Sequence, residues 1–450
     1  MADFKVKVAC RIYGLRHRKA FSASRSLEGN GPFMDADEKY WWGYKYYCGP
    51  IEEPEPGAGL EEHFRGQDLD FRPRDGIEEA AGFTLCVGGD MMPYPGIRPE
   101  TTESLWDDVR SFFFTGDLAC ANLESPVAPS LPARYIPESI LLPGLLNGTP
   151  EMYDRIVDGG RGVTFFSTAN NHCLDMGEAG LRETLDFLDA RGYRHTGTAR
   201  NQEERDAVVI EERNGVKVAF LSFTFGLNWG KLPEGREYLA NYVRLNKPDE
   251  DLSPVARQVR AVRAAGADAV VALIHWRLEF ESFPVRSQVE TAHRLIELGI
   301  DAVVGNHPHN VQPAERHTYT DPEGVRRDGL ILYALGDLLS IHRTLPNSRL
   351  ACLARIRISK GSVSGNSATR VTSLETLPVY LHVGRRGRQV VDYRVLDFRK
   401  LAASLRAGDD RYGLGKRKAR ELFRLETLMY RILGPALDTS AARPEPSGAS

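Results

Sequence analysis

LSPVARQVRAVRAAGADAVVALIH (252–275) and SQVETAHRLIELGIDAVVGNHPHN (287–310) carry one design twice. Each opens with apolar residues at three- and four-residue spacing, the period of an amphipathic helix. Each helix closes on a glycine, Gly266 or Gly299, and one residue later comes Asp-Ala-Val-Val, the start of a buried strand. Helix followed by strand, repeated, is parallel β-α-β construction. Both strands end on histidine: His275 after the first, His307 and His309 after the second. In a layered α/β fold the carboxyl ends of the strands gather at one edge, where ligands and catalytic groups collect.

The same placement recurs towards the N-terminus. LCVGGDMM puts Asp90 at the end of an apolar run, ANLES places Asn122 and Glu124, and STANNHCLD places Asn170, Asn171 and His172. Taken singly these residues have ordinary explanations. Asp90 reads as a helix cap, Asn170-Asn171 as a turn, Glu124 as a solvated carboxylate and His275 as a hydrogen-bonded core histidine. Jointly they set Asp, Glu, Asn, His and His-x-His at five strand ends. That mixture of oxygen and nitrogen donors, with no thiolate, suits divalent manganese, iron or zinc.

Around this frame, GEAGLRETLDFLDARG (177–192) predicts a helix closed by Gly192, and TESLWDDVRSFF (102–113) another. Asn214-Gly215 predicts the turn of a hairpin between DAVVIEER and VKVAFLSFTF. The Pro- and Gly-rich residues 125–150 predict a long surface loop, and LILYALGD (330–337) a further strand. ACLARIRIS and TSLETLPVYLHV predict antiparallel strands connected by SKGSVSGNSAT. GKRKARELFRLETLMYRIL (415–433) predicts an amphipathic helix, and PEPSGAS (444–450) a disordered tail.

Residues 1–80 differ in character: KVKVACRIYG alternates like a strand, YWWGYKYYC (40–48) is very aromatic, and 51–76 is a Pro/Gly/acid-rich connector. The expected organisation is an N-terminal extension (1–80), a catalytic domain (81–385) and a C-terminal extension (386–450) that is helical with a disordered tail. The aromatic run is expected to pack on the main domain; a substrate lid or wall and a homo-oligomer contact are the alternatives.

Charge narrows the function further. The net charge of −3 carries no basic excess, so neither nucleic acid nor a membrane surface is expected as the main partner. The six cysteines are scattered without a C-x-x-C pair, which fits a reducing compartment rather than a disulfide framework. With no apolar stretch near the ~20 residues needed to span a bilayer, the expectation is a cytoplasmic protein.

The motifs GGDMM (88–92), ANLESP (121–126), ANNHCLDMG (169–177), HW-x-x-E (275–279), GNHPHNVQ (305–312) and YALGD (333–337) together resemble the poly-γ-glutamate capsule biosynthesis (CapA-like) family of the calcineurin-like metallophosphatase superfamily. The resemblance implies a four-layer α/β/β/α sandwich of the metallo-dependent phosphatase type, with a two-metal centre at the strand ends. Asp90 resembles the first-motif carboxylate, Glu124 stands where a metal-bridging Asp is usual, and Asn171 resembles the amide ligand. His275 and His307 would bind the second metal and His309 the first, with His172 as a proton donor oriented by Asp175. Two ions would share a bridging hydroxide made nucleophilic near neutral pH.

The sequence also departs from the pattern. The superfamily usually has a His two residues after the first-motif Asp, and here that position is Met92, which weakens the first site and leaves a single occupied position as the alternative. Arg277 stands in place of a Gly, Phe280 of a Tyr and Asp337 of an Asn. Arg98, Asn122, Arg277 and Glu279 are the candidate substrate contacts, the two arginines as holders of a carboxylate.

The implied reaction is hydrolysis or acyl transfer at an amide of an acidic amino acid or glutamate-type polymer, the substrate being a small or peptide-like acid. A metallophosphoesterase acting on a small phosphoester, and a non-catalytic binding partner of a polymer synthase, are the competing readings.

Overall fold

The computed structural model describes residues 2–17, 29, 31–72, 77–137, 140, 142, 144–157, 162–228, 230–322, 324–340, 342, 345–363 and 365–438. The tail 444–450 lies outside them.

Two sheets face each other. The strands are β1 (Glu78–Met91), β2 (Leu118–Leu123), β3 (Phe165–Ser167), β4 (Arg194–Thr196), β5 (Ile210–Arg213), β6 (Val216–Thr224), β7 (Ala269–His275), β8 (Ala302–Asn306), β9 (Ala314–Thr320), β10 (Arg326–Leu332), β11 (Asp337–Leu339), β12 (Leu350–Val363), β13 (Asn366–Arg386) and β14 (Gln389–Asp397). The first sheet runs β14-β13-β12-β1-β2-β3-β4, with β11 also paired to β1; the second runs β5-β6-β7-β8-β10-β9. β1 to β4 are mutually parallel, as are β6, β7, β8 and β10, whereas β12 to β14 are antiparallel.

The period-two burial of the strands builds the layers. Phe83, Leu85 and Val87 of β1, Cys120 of β2 and Phe165 of β3 point between the sheets. Cys86, Ala119, Ala121 and Phe166 point outward, onto a second core that includes Phe187 and Leu188 of the helix Gly177–Ala190. The outer face of the second sheet is covered by the helices Ser253–Ala264 and Arg286–Glu297, through Val255, Val259, Val262, Val289, Leu295 and Ile296. Helix, sheet, sheet, helix is the four-layer sandwich expected. The C-terminal helix Gly415–Asp438 packs Leu422, Leu425, Met429 and Ile432 into the same hydrophobic cluster, against β13 and β9. No helix among the described residues is long and apolar enough to cross a membrane.

Several expectations change in the structure. KVKVACRIYG is part of a helix, Ala2–Arg16, not a strand. Its alternation is short, and the buried positions Cys10 and Gly14 follow a helical spacing. That face packs on the helix Ala36–Cys48, where Gly14 leaves room for the ring of Tyr44. TESLWDDVRSFF forms turns with only a short helix, Arg110–Phe113, although Leu105, Trp106, Val109 and Phe113 still fill the outer core. LILYALGD is not one strand. β10 stops at Leu332 in the second sheet, Tyr333–Gly336 crosses over, and β11 joins the first sheet. Two glycines permit this crossing: a Cβ on Gly305 would lie 1.9 Å from Tyr333 O, and one on Gly89 1.8 Å from Gly336 O. The expected loop at 359–369 is largely strand, because β12 pairs with β13 along its whole length, up to Val363 opposite Asn366. β14 and the helix Phe398–Arg406 had no counterpart in the sequence reading.

Candidate metal centre

Strand register brings the motif residues together. Asp90 pairs with Asn122 across β1 and β2, and with Asp337 across β1 and β11. His275 pairs with Asn306 across β7 and β8. Where the two sheets open at these carboxyl ends, Asp90, Glu124, Asn171, His275, His307 and His309 converge, every one of them buried. His307 and His309 both have positive φ, 101° and 55°, so the His-Pro-His turn is a constrained conformation that aims two rings at one volume.

His275 Nε2 lies 2.7 Å from Asn171 Oδ1, a hydrogen-bond distance, whereas other ligand atoms at this edge stand farther apart, as ligands around an ion do. His275 Nε2 is 3.3 Å from Glu124 Oε1, and His309 Nε2 is 3.6 Å from Glu279 Oε1 and 4.0 Å from Glu124 Oε1. Ligand atoms of Glu124, His307 and His309 lie within 4.8 Å of one another, as do those of Asp90, Glu124 and His275. Both oxygens of Glu124 and Nδ1 of His307 are buried without a hydrogen-bond partner among the described residues. Buried polar groups are rarely left so, and each exception calls for an explanation. A set of carboxylate, amide and imidazole donors around orphaned atoms fits divalent cations.

The electrostatics agree. Burial raises the carboxyl of Asp90, and burial with the neighbouring Asp90 charge raises Glu124 well above the usual range. Burial pushes Asp337 up to about 6. Burial drives His275 well down and His307 down to about 3, so both rings stay neutral and able to ligate. His309 goes the other way: burial opposes protonation, but Glu124 and Asp337 outweigh it. These carboxyls hold their protons more tightly than exposed ones, and a bound cation would reverse that.

Around this set lies an orienting shell. His309 Nδ1 is 2.9 Å from Asp337 Oδ1, an arrangement that fixes the ring. Asn122 Nδ2 donates to Asp90 Oδ1 at 2.7 Å and lies 3.1 Å from His275 Nδ1. Asn122 therefore positions ligands and is too buried to meet substrate, which corrects the expected role. His172 is held by Asp175, with Nδ1 2.6 Å from Oδ2. Asn228, which the sequence did not single out, links the two groups. Asn171 Nδ2 donates to Asn228 Oδ1 at 3.0 Å, and Asn228 Nδ2 lies 3.2 Å from His172 Nε2.

The centre opens into a cavity of about 690 Å³, reached by His172, His307, His309, Glu279 and His342. Its far wall is the helix Ala36–Cys48, whose N-cap Asp35 accepts from Glu38 N at 2.8 Å. The aromatic run thus sits against the centre. Trp42 Nε1 donates to Glu279 Oε2, while Trp41 Nε1 (3.2 Å) and Lys45 Nζ (2.7 Å) both donate to buried Glu281. Glu279 is held low: burial opposes ionisation, but the contacts from His309 and Trp42 outweigh it.

Neither arginine reaches this cavity. Arg277 is buried with a φ of 78°, and its guanidinium donates to Asn246 O and Ser287 Oγ, both at 3.0 Å. Arg98 donates to Val390 O at 3.1 Å and pairs with Glu100 at the surface. Each serves local structure, so the expected carboxylate-holding role is corrected. A positive φ at residue 277 explains why glycine would also suit that position.

The sequence profile of the family described as "Bacterial capsule synthesis protein PGA_cap" matches residues 84–341, the stretch that carries every candidate ligand above. The chain belongs to this family. It is 28% identical over 260 residues to a "Capsule biosynthesis protein CapA" of Bacillus anthracis, covering 57% of this chain and 59% of that protein. It is 23% identical over 283 residues to a "PGA biosynthesis protein CapA" of Bacillus subtilis, covering 61% and 67%. A "Probable polyglutamine synthesis accessory protein" of Mycobacterium tuberculosis is 27% identical over 218 residues, 47% of this chain and 54% of that one. The match therefore spans between about half and two thirds of these relatives. The aromatic helix Ala36–Cys48 and the strand β14 lie outside the family-matched stretch.

Proposed function

We propose that this chain is a metal-dependent hydrolase or acyl-transfer enzyme of glutamate-polymer metabolism, acting on an amide of an acidic amino acid. The glutamate connection comes from the motif resemblance, beside relatives named for capsule, PGA and polyglutamine synthesis; the chemistry is argued from the site. The observation that carries the reading is the His172–Asp175 pair, 2.6 Å apart and facing the same cavity as the ligand set. A scaffold has no use for an oriented proton donor; a hydrolytic site does.

Two divalent ions bound here would supply an activated water and neutralise negative charge growing on the attacked carbonyl. Asp90, Glu124 and His309 would hold one, and Glu124, Asn171, His275 and His307 the other. Asp175 holds the His172 ring through Nδ1, leaving Nε2 towards the cavity for the departing nitrogen. In the resting state Asn228 occupies that contact, and protonation of Nε2 requires its amide to turn. Trp42, Ile136, Ile140, Leu142 and Leu278 line the cavity with apolar surface, while Lys39 and Lys231 stand on it as cations. This lining suits a substrate with an anionic end and an apolar body, rather than a uniformly anionic chain. The two lysines would accept a phosphate as readily as a carboxylate, so a small phosphoester is the second reading.

Elemental analysis of the purified protein, with turnover of γ-glutamyl amides and phosphoesters side by side, tests both. Asp90→Ala and His309→Ala should lower metal content and activity together, and His172→Ala should cut turnover while sparing metal. Unchanged metal content in both ligand variants, or a wild type that takes up no manganese, iron or zinc, sinks the proposal.

A further inference from the structure

His342 lies at the end of the same sheet edge, where no sequence motif placed it. β11 runs parallel beside β1 with Asp337 opposite Asp90, and the chain after Leu339 turns His342 into the cavity. Its ring centroid is 4.6 Å from that of His309. It is 6% exposed, and neither ring nitrogen has a hydrogen-bond partner among the described residues. Asp337 Oδ2, also buried and without such a partner, lies 3.8 Å from His342 Nε2. That separation is too long for a hydrogen bond. It is close to that of two donors bound to one ion, since ligands about 2.1 Å from a metal at near-tetrahedral angles lie roughly 3.4 Å apart. One ligand atom each from His309, Asp337 and His342 falls within 4.8 Å of the other two.

Met92, by contrast, is buried on the cavity wall and offers only a thioether, a soft donor ill matched to the carboxylates around it. The side of the centre served by Asp90, Glu124 and His309 is therefore short of one neutral nitrogen. We infer that His342 supplies it, with Asp337 as its companion carboxylate, so that His342 and Asp337 join His309, Asp90 and Glu124 around the first divalent cation. The aspartate at 337, the methionine at 92 and the orphaned histidine at 342 then have a single explanation. This inference rests on the metal-centre reading above and specifies how one of its two positions is built.

The test is metal stoichiometry and affinity, measured by elemental analysis and titration with cobalt(II) followed by its visible spectrum. Wild type should bind two equivalents, and His342→Ala one, or two with the weaker affinity reduced at least tenfold. Met92→His added to His342→Ala should restore the lost equivalent. If His342→Ala does not fold, His342→Asn is measured the same way. X-ray absorption of the cobalt-loaded protein counts the imidazoles: His275, His307 and His309 account for three over two ions, a fourth requires His342, and the count should fall to three in His342→Asn. Retention of both equivalents with unchanged affinity in the His342 variants overturns the inference alone, provided His275→Ala still loses metal. A single wild-type equivalent that survives in His342→Ala overturns it too. A wild type that binds no metal overturns the proposed function with it.

Discussion

Asp175→Asn separates charge from geometry at the proposed proton donor. Both bonds made by Asp175 fall on one oxygen: Oδ2 accepts from Leu146 N at 2.7 Å and lies 2.6 Å from His172 Nδ1. An asparagine carbonyl in that place keeps both, so the ring stays where it is and the loss is one negative charge. Against a proton-bearing ring with its charge about 4 Å away, that charge is worth about 4 kcal/mol at an effective dielectric near 20. At 1.36 kcal/mol per decade this is an upper bound of about three powers of ten. The open cavity beside His172 screens part of it, so turnover should fall about 10²- to 10³-fold with metal content unchanged. The assay compares two γ-glutamyl substrates that differ only in leaving group, a p-nitrophenyl ester and an alkyl amide. The ester departs as a stabilised anion and needs no proton; the alkylamine cannot leave without one. The fall should be confined to the amide. Equal losses on both substrates, or a loss of metal in the variant, would refute His172 as the donor.

Metal uptake near pH 6 should release protons, because burial raises Asp90 and Glu124 and sets Asp337 at about 6 in the metal-free protein. Affinity should then rise with pH and level off once these carboxyls ionise; calorimetry in buffers of different ionisation heat reads the proton count, and a count of zero contradicts the assignment. Trp42→Ala should raise KM about tenfold for substrates with an apolar body while leaving metal content intact, since it strips one aromatic face from the cavity wall. An unchanged KM would place the substrate elsewhere. Away from the centre, Glu315 is held at about 2 against an ordinary 4.5: burial would raise it, but His293, His63 and Tyr333 outweigh burial. Because the folded value is the lower one, this stability is present above pH 4.5 and is lost as pH falls towards 2. Glu315→Gln should flatten that acid limb in thermal melts, and an unaltered limb would assign it to other groups.

What was legible in the sequence followed from periodicity and from order. The two helix–Gly–x–Asp–Ala–Val–Val units, the Asn214-Gly215 hairpin with φ of 52° and 77°, and the ligand types at five strand ends all appear where expected. What was not legible depended on tertiary partners. The N-terminal alternation is compatible with both a strand and a helix, and only a packing partner in Ala36–Cys48 decides between them. Arg98, Arg277 and Asn122 have the right chemistry for substrate, but the side-chain direction that removes them from the cavity is set by Val390, Asn246 and Asp90. His342 and Asn228 stand in segments without regular period, so no spacing rule could bring them to the centre. Asp337 was visible only as a departure; its meaning comes from the crossover that lays β11 against β1.

The donors of the centre come from both halves of the sandwich: Asp90, Asn122 and Asp337 stand on the first sheet, His275 on the second, and His307 and His309 directly follow β8 of the second. An ion gripped there works as a rivet through two plates. Its binding energy adds to the energy of holding the sheets together, about 2.7 kcal/mol at a free concentration one hundred times Kd. Cellular metal supply would then govern how long the molecule survives as well as how fast it turns over, and chelation should loosen the sheet edge before any other part of the fold.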